Sequence, residues 1–268
     1  MSMKEQFSRN SGYVTKTEQE KLGSSKVLFA GCGIGSQTAL AAARLGVGSI
    51  TLLDPDVVEL TNVNRQAYLP KDVGNSKVSA LKNQLDDIVG EQNVFAHHDK
   101  LTAENAHSYV SGHDLVYDTI DFLDLPAILA LHDAANSLGI PVVSAFSAGW
   151  GACQIFIPAD PSETSFMRQV FAPHSTLSYT DALSRFFSSI APFLTQEVQV
   201  DMDMVLRKMK DNTPCPASHV IAGSLTVAAI GSTAIYNALT NKQMQANKLV
   251  VIDLPTALNN TEKAVSLL

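Results

Sequence analysis

The chain has 268 residues, a hydrophobic fraction of 46%, a charged fraction of 17% and a formal net charge of −7. That is enough apolar material for one large core, with or without an inserted lobe. The acidic balance argues against a nucleic-acid binder, which normally presents a basic face, although a local basic pocket for phosphates stays compatible with it. Three scattered cysteines, Cys32, Cys153 and Cys215, do not make a disulfide framework and point to a reducing, cytoplasmic setting. With no C-x-x-C pair, no structural zinc is expected. The opening "MSMKEQFSRN" lacks the apolar core of a signal peptide.

In chain order, "YVTKTEQEKL" carries a helix start at Thr15 or Thr17. "SKVLFAGCG" reads as a buried parallel strand, "SQTALAAARLG" as a helix stopped at Gly46, and "SITLLD" as a second strand. Strand, helix and strand in so short a span make a βαβ unit. The alternation continues through a helix "KVSALKNQLDDI", a strand "NVFAHHD", a helix "TAENAHSYV", a strand "DLVYDTI", a helix "LPAILALHDAANSLG" and a strand "PVVSAFSAG". "GACQIFIP" follows almost at once, so the sheet should turn antiparallel there. From 159 to 217 the pattern fades between prolines, apart from an amphipathic "DALSRFFSSIAPFL"; so long a stretch predicts a lid or substrate lobe, with a loosely ordered excursion as the plainer alternative. "HVIAGSLTVAAIGSTAIYNALT" is about long enough to cross a bilayer, but its polar residues predict a buried helix and no membrane. "KLVVIDLP" reads as a last strand. The expected class is therefore α/β: a Rossmann-like, doubly wound, mainly parallel sheet with an antiparallel C-terminal extension and an irregular lobe.

Gly31, Gly33 and Gly35, in "GCGIGS", sit between a strand and a helix, where the backbone can approach a phosphate at the helix N-terminus. Asp54 ends the second strand, the place of an acid that hydrogen-bonds ribose hydroxyls. Alone, these signals say only nucleotide. "DPDVVELTNVNRQ" adds Asp56, Asn62, Asn64 and Arg65 at the same sheet edge, and Lys77 opens the next helix. Arg65 and Lys77 supply cations suited to a triphosphate, and Asp118 or Asp121 a carboxylate suited to Mg²⁺. Surface salt bridging is the plainer reading of each charge singly, and it poorly explains so many on one edge.

These stretches, with "FSRN" near the start, "ARLGVGSITLLDPDVVELTNVNRQ", "VGNSKV", "DLVYDTID" and the late "PCPASHVIAGSLTVAAIGS", resemble the ubiquitin-activating-type adenylyltransferases, the ThiF/MoeB/HesA family. The resemblance implies an ATP-Mg²⁺ site that adenylates a carboxylate, usually the C-terminus of a small ubiquitin-like or sulfur-carrier protein or a peptide. It implies that Asp54 binds the ribose, that Asn62, Arg65 and Lys77 bind the phosphates and that Asp121 holds Mg²⁺. Arg9 matches an arginine that reaches into the neighbouring subunit's ATP site, which implies a homodimer and places Arg9 with Arg65, Lys77 and Asp121 as catalytic. The implied layout is one domain, with an N-terminal helical segment over 1–25, a nucleotide-binding half over 26–150, a crossover or substrate lobe over 159–217 and a C-terminal helix and strand over 218–268.

The resemblance thins in two places. The crossover loop between Gln154 and Pro214 lacks the family's thioester or persulfide cysteine, leaving only Cys215, and the zinc-binding C-x-x-C pairs are absent. Free cysteines are more often buried than nucleophilic, which is the reading for Cys153. Cys32 can contact the nucleotide but has no base beside it. His97, His98 and Asp99 read as a solvated turn rather than a metal cluster. The alternatives are an NAD-dependent Rossmann oxidoreductase, activation of a small-molecule or tRNA carboxylate, and a scaffold subunit that has lost its ATP site. The first leaves Asn62, Arg65, Lys77 and Asp121 unexplained; the last is disfavoured by the arginine, lysine and aspartate that this chain keeps. No nucleic-acid partner other than a tRNA is expected.

Overall fold

The computed structural model describes residues 5–90, 93–171, 178–211 and 217–259. Helix α1 (Lys16–Ser24) starts at Thr15, where Thr15 Oγ1 accepts the Glu18 N–H and Glu18 returns a bond to the Thr15 N–H. Strand β1 (Lys26–Ala30) runs into helix α2 (Gly35–Leu45), which stops at Gly46 with φ 106°, a left-handed C-terminal cap. Strand β2 (Ser49–Leu53) follows, then helix α3 (Lys77–Val89), capped by Ser76. Next come β3 (Val94–His97), α4 (Ala106–Val110), β4 (Leu115–Asp118), α5 (Leu125–Ser137), β5 (Val142–Ala148) and β6 (Gly151–Ile157).

Among the described residues the strands form one seven-stranded sheet in the order β3-β2-β1-β4-β5-β6-β7, where β7 is Leu249–Ile252. The first five are mutually parallel, while β6 is antiparallel to both β5 and β7. Side chains alternate between the faces with period two. Val27 and Phe29 of β1 join the core beneath α2, α3 and α9 (Ile221–Leu239), whereas Leu28 and Ala30 join the core beneath α4 and α5. Both faces are covered, as a parallel sheet requires.

Helix α9 is, among the described residues, the one long and apolar enough to cross a bilayer. Val227, Ala234 and Ile235 are instead buried in the core, and the helix packs on α2, β5 and β6. Its Val227 carbonyl accepts the buried Tyr117 hydroxyl at 3.4 Å.

The stretch expected to be irregular is largely helical, which corrects the sequence expectation. It holds α7 (Tyr179–Ile190), where an amphipathic helix is expected, and also α6 (Phe166–Phe171) and α8 (Gln196–Lys210), which are not expected. Val198, Val205 and Leu206 of α8 are buried at positions i, i+7 and i+8, a helical stripe diluted by the charged residues between them. Pro192 sits in the short 3-10 turn Ala191–Phe193 that joins α7 to α8, so it separates helices rather than preventing them.

Candidate functional site

The parallel order reverses direction at β1, whose neighbours β2 and β4 lead the chain opposite ways, and ligands of open α/β sheets bind at the carboxyl ends of such strands. A cavity of about 970 Å³ lies there. Its floor is the turn after β1. The Gly31 N–H donates to Leu53 O at 2.9 Å, and the Thr119 N–H to Ala30 O at 2.9 Å, so the ends of β1, β2 and β4 are tied together. Gly31 has φ 90°, and a Cβ there would lie 2.5 Å from Thr119 O; only glycine serves.

Asp54, 5% exposed, clamps this turn to the next loop. Its Oδ2 accepts the Cys32 N–H at 2.6 Å and its Oδ1 the Asp56 N–H at 2.8 Å. Burial pushes its carboxyl above the usual carboxylate range, against the pull of Lys77. Each oxygen keeps one lone pair for a ligand hydroxyl. Lys77 is buried at the first turn of α3, its Nζ 2.7 Å from Asp56 Oδ2, and both residues line the cavity. Asn62 Oδ1 accepts the Glu59 N–H at 3.0 Å, which leaves the amide NH₂ as its ligand-binding end.

Arg65 holds its Nη1 against Thr61 O at 2.8 Å and Asn64 Oδ1 at 2.9 Å, while its buried Nε has no partner among the described residues. Burial lowers the guanidinium from its ordinary value, partly offset by Glu59. A buried cationic N–H without an acceptor is costly unless an anion completes it. Gln66, 8% exposed, likewise has an unpartnered buried Oε1 in the cavity wall. The sequence reading passed over this glutamine, although the quoted stretch ends on it.

The two acids after β4 differ. Asp118, 2% exposed, takes the Ile120 N–H on Oδ1, and the His132 Nε2 at 3.0 Å and Ser144 Oγ at 2.9 Å on Oδ2. It is consumed internally. Asp121 is exposed at the cavity and accepts only the Leu123 N–H at 2.9 Å, on Oδ1, so Oδ2 faces no protein donor among the described residues. Among the described residues no group of three or more His, Cys, Asp or Glu side chains could hold a metal ion. Mg²⁺ needs no such cage, because it binds through one or two carboxylates together with substrate phosphates. His98 bonds Pro55 O and Asp99 bonds the Tyr109 hydroxyl, so that turn is tied down within the protein.

Arg9 does not line this cavity. It is exposed in the 3-10 turn Glu5–Asn10, whose Asn10 donates to Leu45 O at the far end of α2. That helix is about 16 Å long at 1.5 Å per residue. Cys32 and Cys153 are buried, and burial pushes the Cys153 thiol up to about 12 and the Cys32 thiol well above its ordinary value. Neither is poised as a nucleophile. Cys215 lies outside the described residues.

Beyond the nucleotide edge the cavity wall is aromatic: Phe146 of β5 and Phe171, Tyr179 and Phe186 of the lobe line it, with His219 just before α9. His219 Nδ1 must donate to Ala217 O, 2.8 Å away, because a carbonyl only accepts. Burial, with a lesser push from Arg65, lowers its pKa and favours the neutral ring. Asn64 Nδ2 donates to the His219 carbonyl at 3.3 Å and Asp201 accepts the Ser218 hydroxyl at 2.7 Å, tying the two ends of the cavity together. No motif marked His219, since its partners are distant in the chain.

The fold and the cavity define a Rossmann-like α/β protein with a site of nucleotide-binding type. The ThiF family profile matches residues 7–264, and the chain belongs to that family. It is 37% identical over 128 residues to "Adenylyltransferase and sulfurtransferase MOCS3" of Aedes aegypti, covering 47% of this chain and 29% of that protein. It is 42% identical over 122 residues to tRNA threonylcarbamoyladenosine dehydratase of Bacillus subtilis, covering 44% and 48%. The chain thus spans less than half of the length of these curated relatives. Among solved structures, PaaA superposes with a TM-score of 0.64 at 21% identity over 89% of this chain and 72% of its own, and E. coli MccB with ATP at 0.64, 19%, 88% and 62%. At such identities the two structures speak for the fold alone.

Proposed function

We propose that the protein is an ATP-dependent adenylyltransferase that activates a carboxylate. The observation that carries this reading is that Arg65, whose buried Nε has no partner among the described residues, lines one cavity with Lys77, the glycine turn and Asp121, whose second carboxylate oxygen is open. A hydride-transfer site has no use for that set. A curated relative named as an adenylyltransferase supports the same reading. The carboxylate oxygen attacks the α-phosphorus, the bond to the β-phosphate oxygen breaks, and pyrophosphate leaves; no proton moves. Arg65 and Lys77 stabilise the charge that builds on the phosphates. Asn62 donates its amide to the same oxygens, and Asp54 accepts ribose hydroxyls. Mg²⁺, when bound, would neutralise phosphate charge, with Asp121 as its protein ligand.

The reading includes a small protein or peptide C-terminus as the substrate, and a homodimer in which Arg9, whose turn packs at the far end of α2 and which does not line its own cavity, completes the partner's. ATP–pyrophosphate exchange tests the activity: Arg65→Ala and Asp121→Ala abolish it with unchanged circular dichroism, and exchange retained in both sinks the assignment. Mixing Arg9→Ala with Arg65→Ala chains tests the dimer, since mixed dimers regain exchange that neither variant has alone.

A further inference from the structure

We propose that the aromatic half of the cavity is the acyl pocket of this site, and that the activated carboxylate is carried on an apolar, ring-bearing or branched group. The inference rests on the adenylation reading and goes beyond it by naming the chemistry of the substrate.

The cavity's polarity is divided. Its lining lysines and arginine, Arg65, Lys77 and Lys100, all belong to the nucleotide edge, and the lobe contributes none among the described residues. The lobe's one acid in the wall, Asp201, is already engaged by the Ser218 hydroxyl and N–H. Among the described residues an acidic acyl group would therefore meet no lysine or arginine there, whereas an apolar one meets ring edges and faces. The total volume, about 970 Å³, stands at the top of the roughly 300–1,000 Å³ that encloses a whole drug-sized ligand. The nucleotide-handling groups occupy only one end of it.

The aromatic wall is built to hold its shape. Phe186 meets Phe146 edge-on with centroids 5.9 Å apart and Phe171 at 5.7 Å; Phe171 meets Tyr179 at 5.9 Å. Such tilted contacts are the favoured aromatic geometry, so the rings brace one another without a ligand. Leu183 and Phe187 line the cavity too and are buried in the lobe's own core, which ties the wall to it. The wall also adjoins the chemistry. Tyr179 donates its hydroxyl to the carbonyl of Phe122, the residue directly after Asp121. A carboxylate presented at the phosphate end thus leaves its acyl group facing the rings. A glycine-ended tail would cover little of them, because burial of apolar area is what such a wall rewards.

Isothermal titration of the full chain with 5′-O-sulfamoyladenosine and its N-acyl derivatives tests this. The parent compound reports the nucleotide site, and the 3-phenylpropanoyl derivative should bind at least tenfold tighter than the acetyl derivative, the discrimination an apolar pocket supplies. Met202→Trp, which fills the chamber from α8, should remove that advantage and leave the parent's affinity unchanged. Parent binding with no preference for the larger acyl group overturns the acyl pocket alone; no binding of the parent overturns the adenylation reading and the pocket with it. In pyrophosphate exchange, activity with 3-phenylpropanoate assigns a free acid, and activity with N-acetyl-glycyl-phenylalanine an apolar peptide terminus. Preference for N-acetyl-glycyl-glycine over both overturns the proposal.

Discussion

The nucleotide edge and the helical lobe share one cavity and are held together by different physics. The edge is polar and local: Asp54, Asp56, Asn62, Arg65 and Lys77 lie within one short stretch, with Asp54, Asn62 and Arg65 bonded to backbone and Lys77 paired with the Asp56 carboxylate. The lobe is apolar and non-local, its rings on α6 and α7 bracing one another and Phe146 of β5. Polar local geometry suits a ligand whose charge pattern is constant. Packing between helices suits a part of the site whose shape must match one substrate.

Mutations on each side should separate the two. The largest effect falls on the edge, where Arg65→Ala should abolish measurable exchange, a loss of about 100-fold or more, the scale of losing one preorganised charge-stabilising donor. Gly31→Ala should come next. Its φ of 90° and its approach to Thr119 O should cost about 1–3 kcal/mol of stability and at least tenfold in ATP affinity, read by chemical denaturation and titration. On the lobe, Phe186→Ala should cost about 1–3 kcal/mol, less than the roughly 3–5 of a fully buried ring, with ATP affinity unchanged. A fall in ATP affinity there would show that the two regions are energetically one. His132→Leu sharpens the contrast between the two acids. It leaves Asp118 short of a donor and should cost about 1–3 kcal/mol of stability without altering exchange, unlike Asp121→Ala.

The smallest effect is a pH dependence. Burial depresses His113 and His219 below their ordinary value, so the unfolded chain takes up protons first as the pH falls. Their contribution is complete above about 6.5 and declines below it toward the depressed native values. His113 lies away from the cavity, bonded to Thr51 Oγ1 at 2.8 Å. The fall in urea midpoint between pH 7.5 and 5.5 should therefore be smaller in His113→Gln than in the parent chain.

The sequence by itself determined the order of strands and helices, the antiparallel turn at β6 and the composition of the nucleotide edge. These are written in short-range signals: hydrophobic period, Gly46 as a stop, and polar residues clustered after one strand. It did not reveal α6 and α8 in the lobe, because prolines and charges dilute their apolar stripe. Only the tertiary structure decided which acid is open, since Asp118 is consumed by His132 and Ser144 from two other elements. It also decided that Lys77 pairs with Asp56, that Gln66 and His219 enter the site, and that Arg9 stands a helix length from its own cavity. The aromatic wall was equally invisible. Phe146, Phe171, Tyr179 and Phe186 have no common period, and only the packing of the lobe helices against β5 brings their rings into contact.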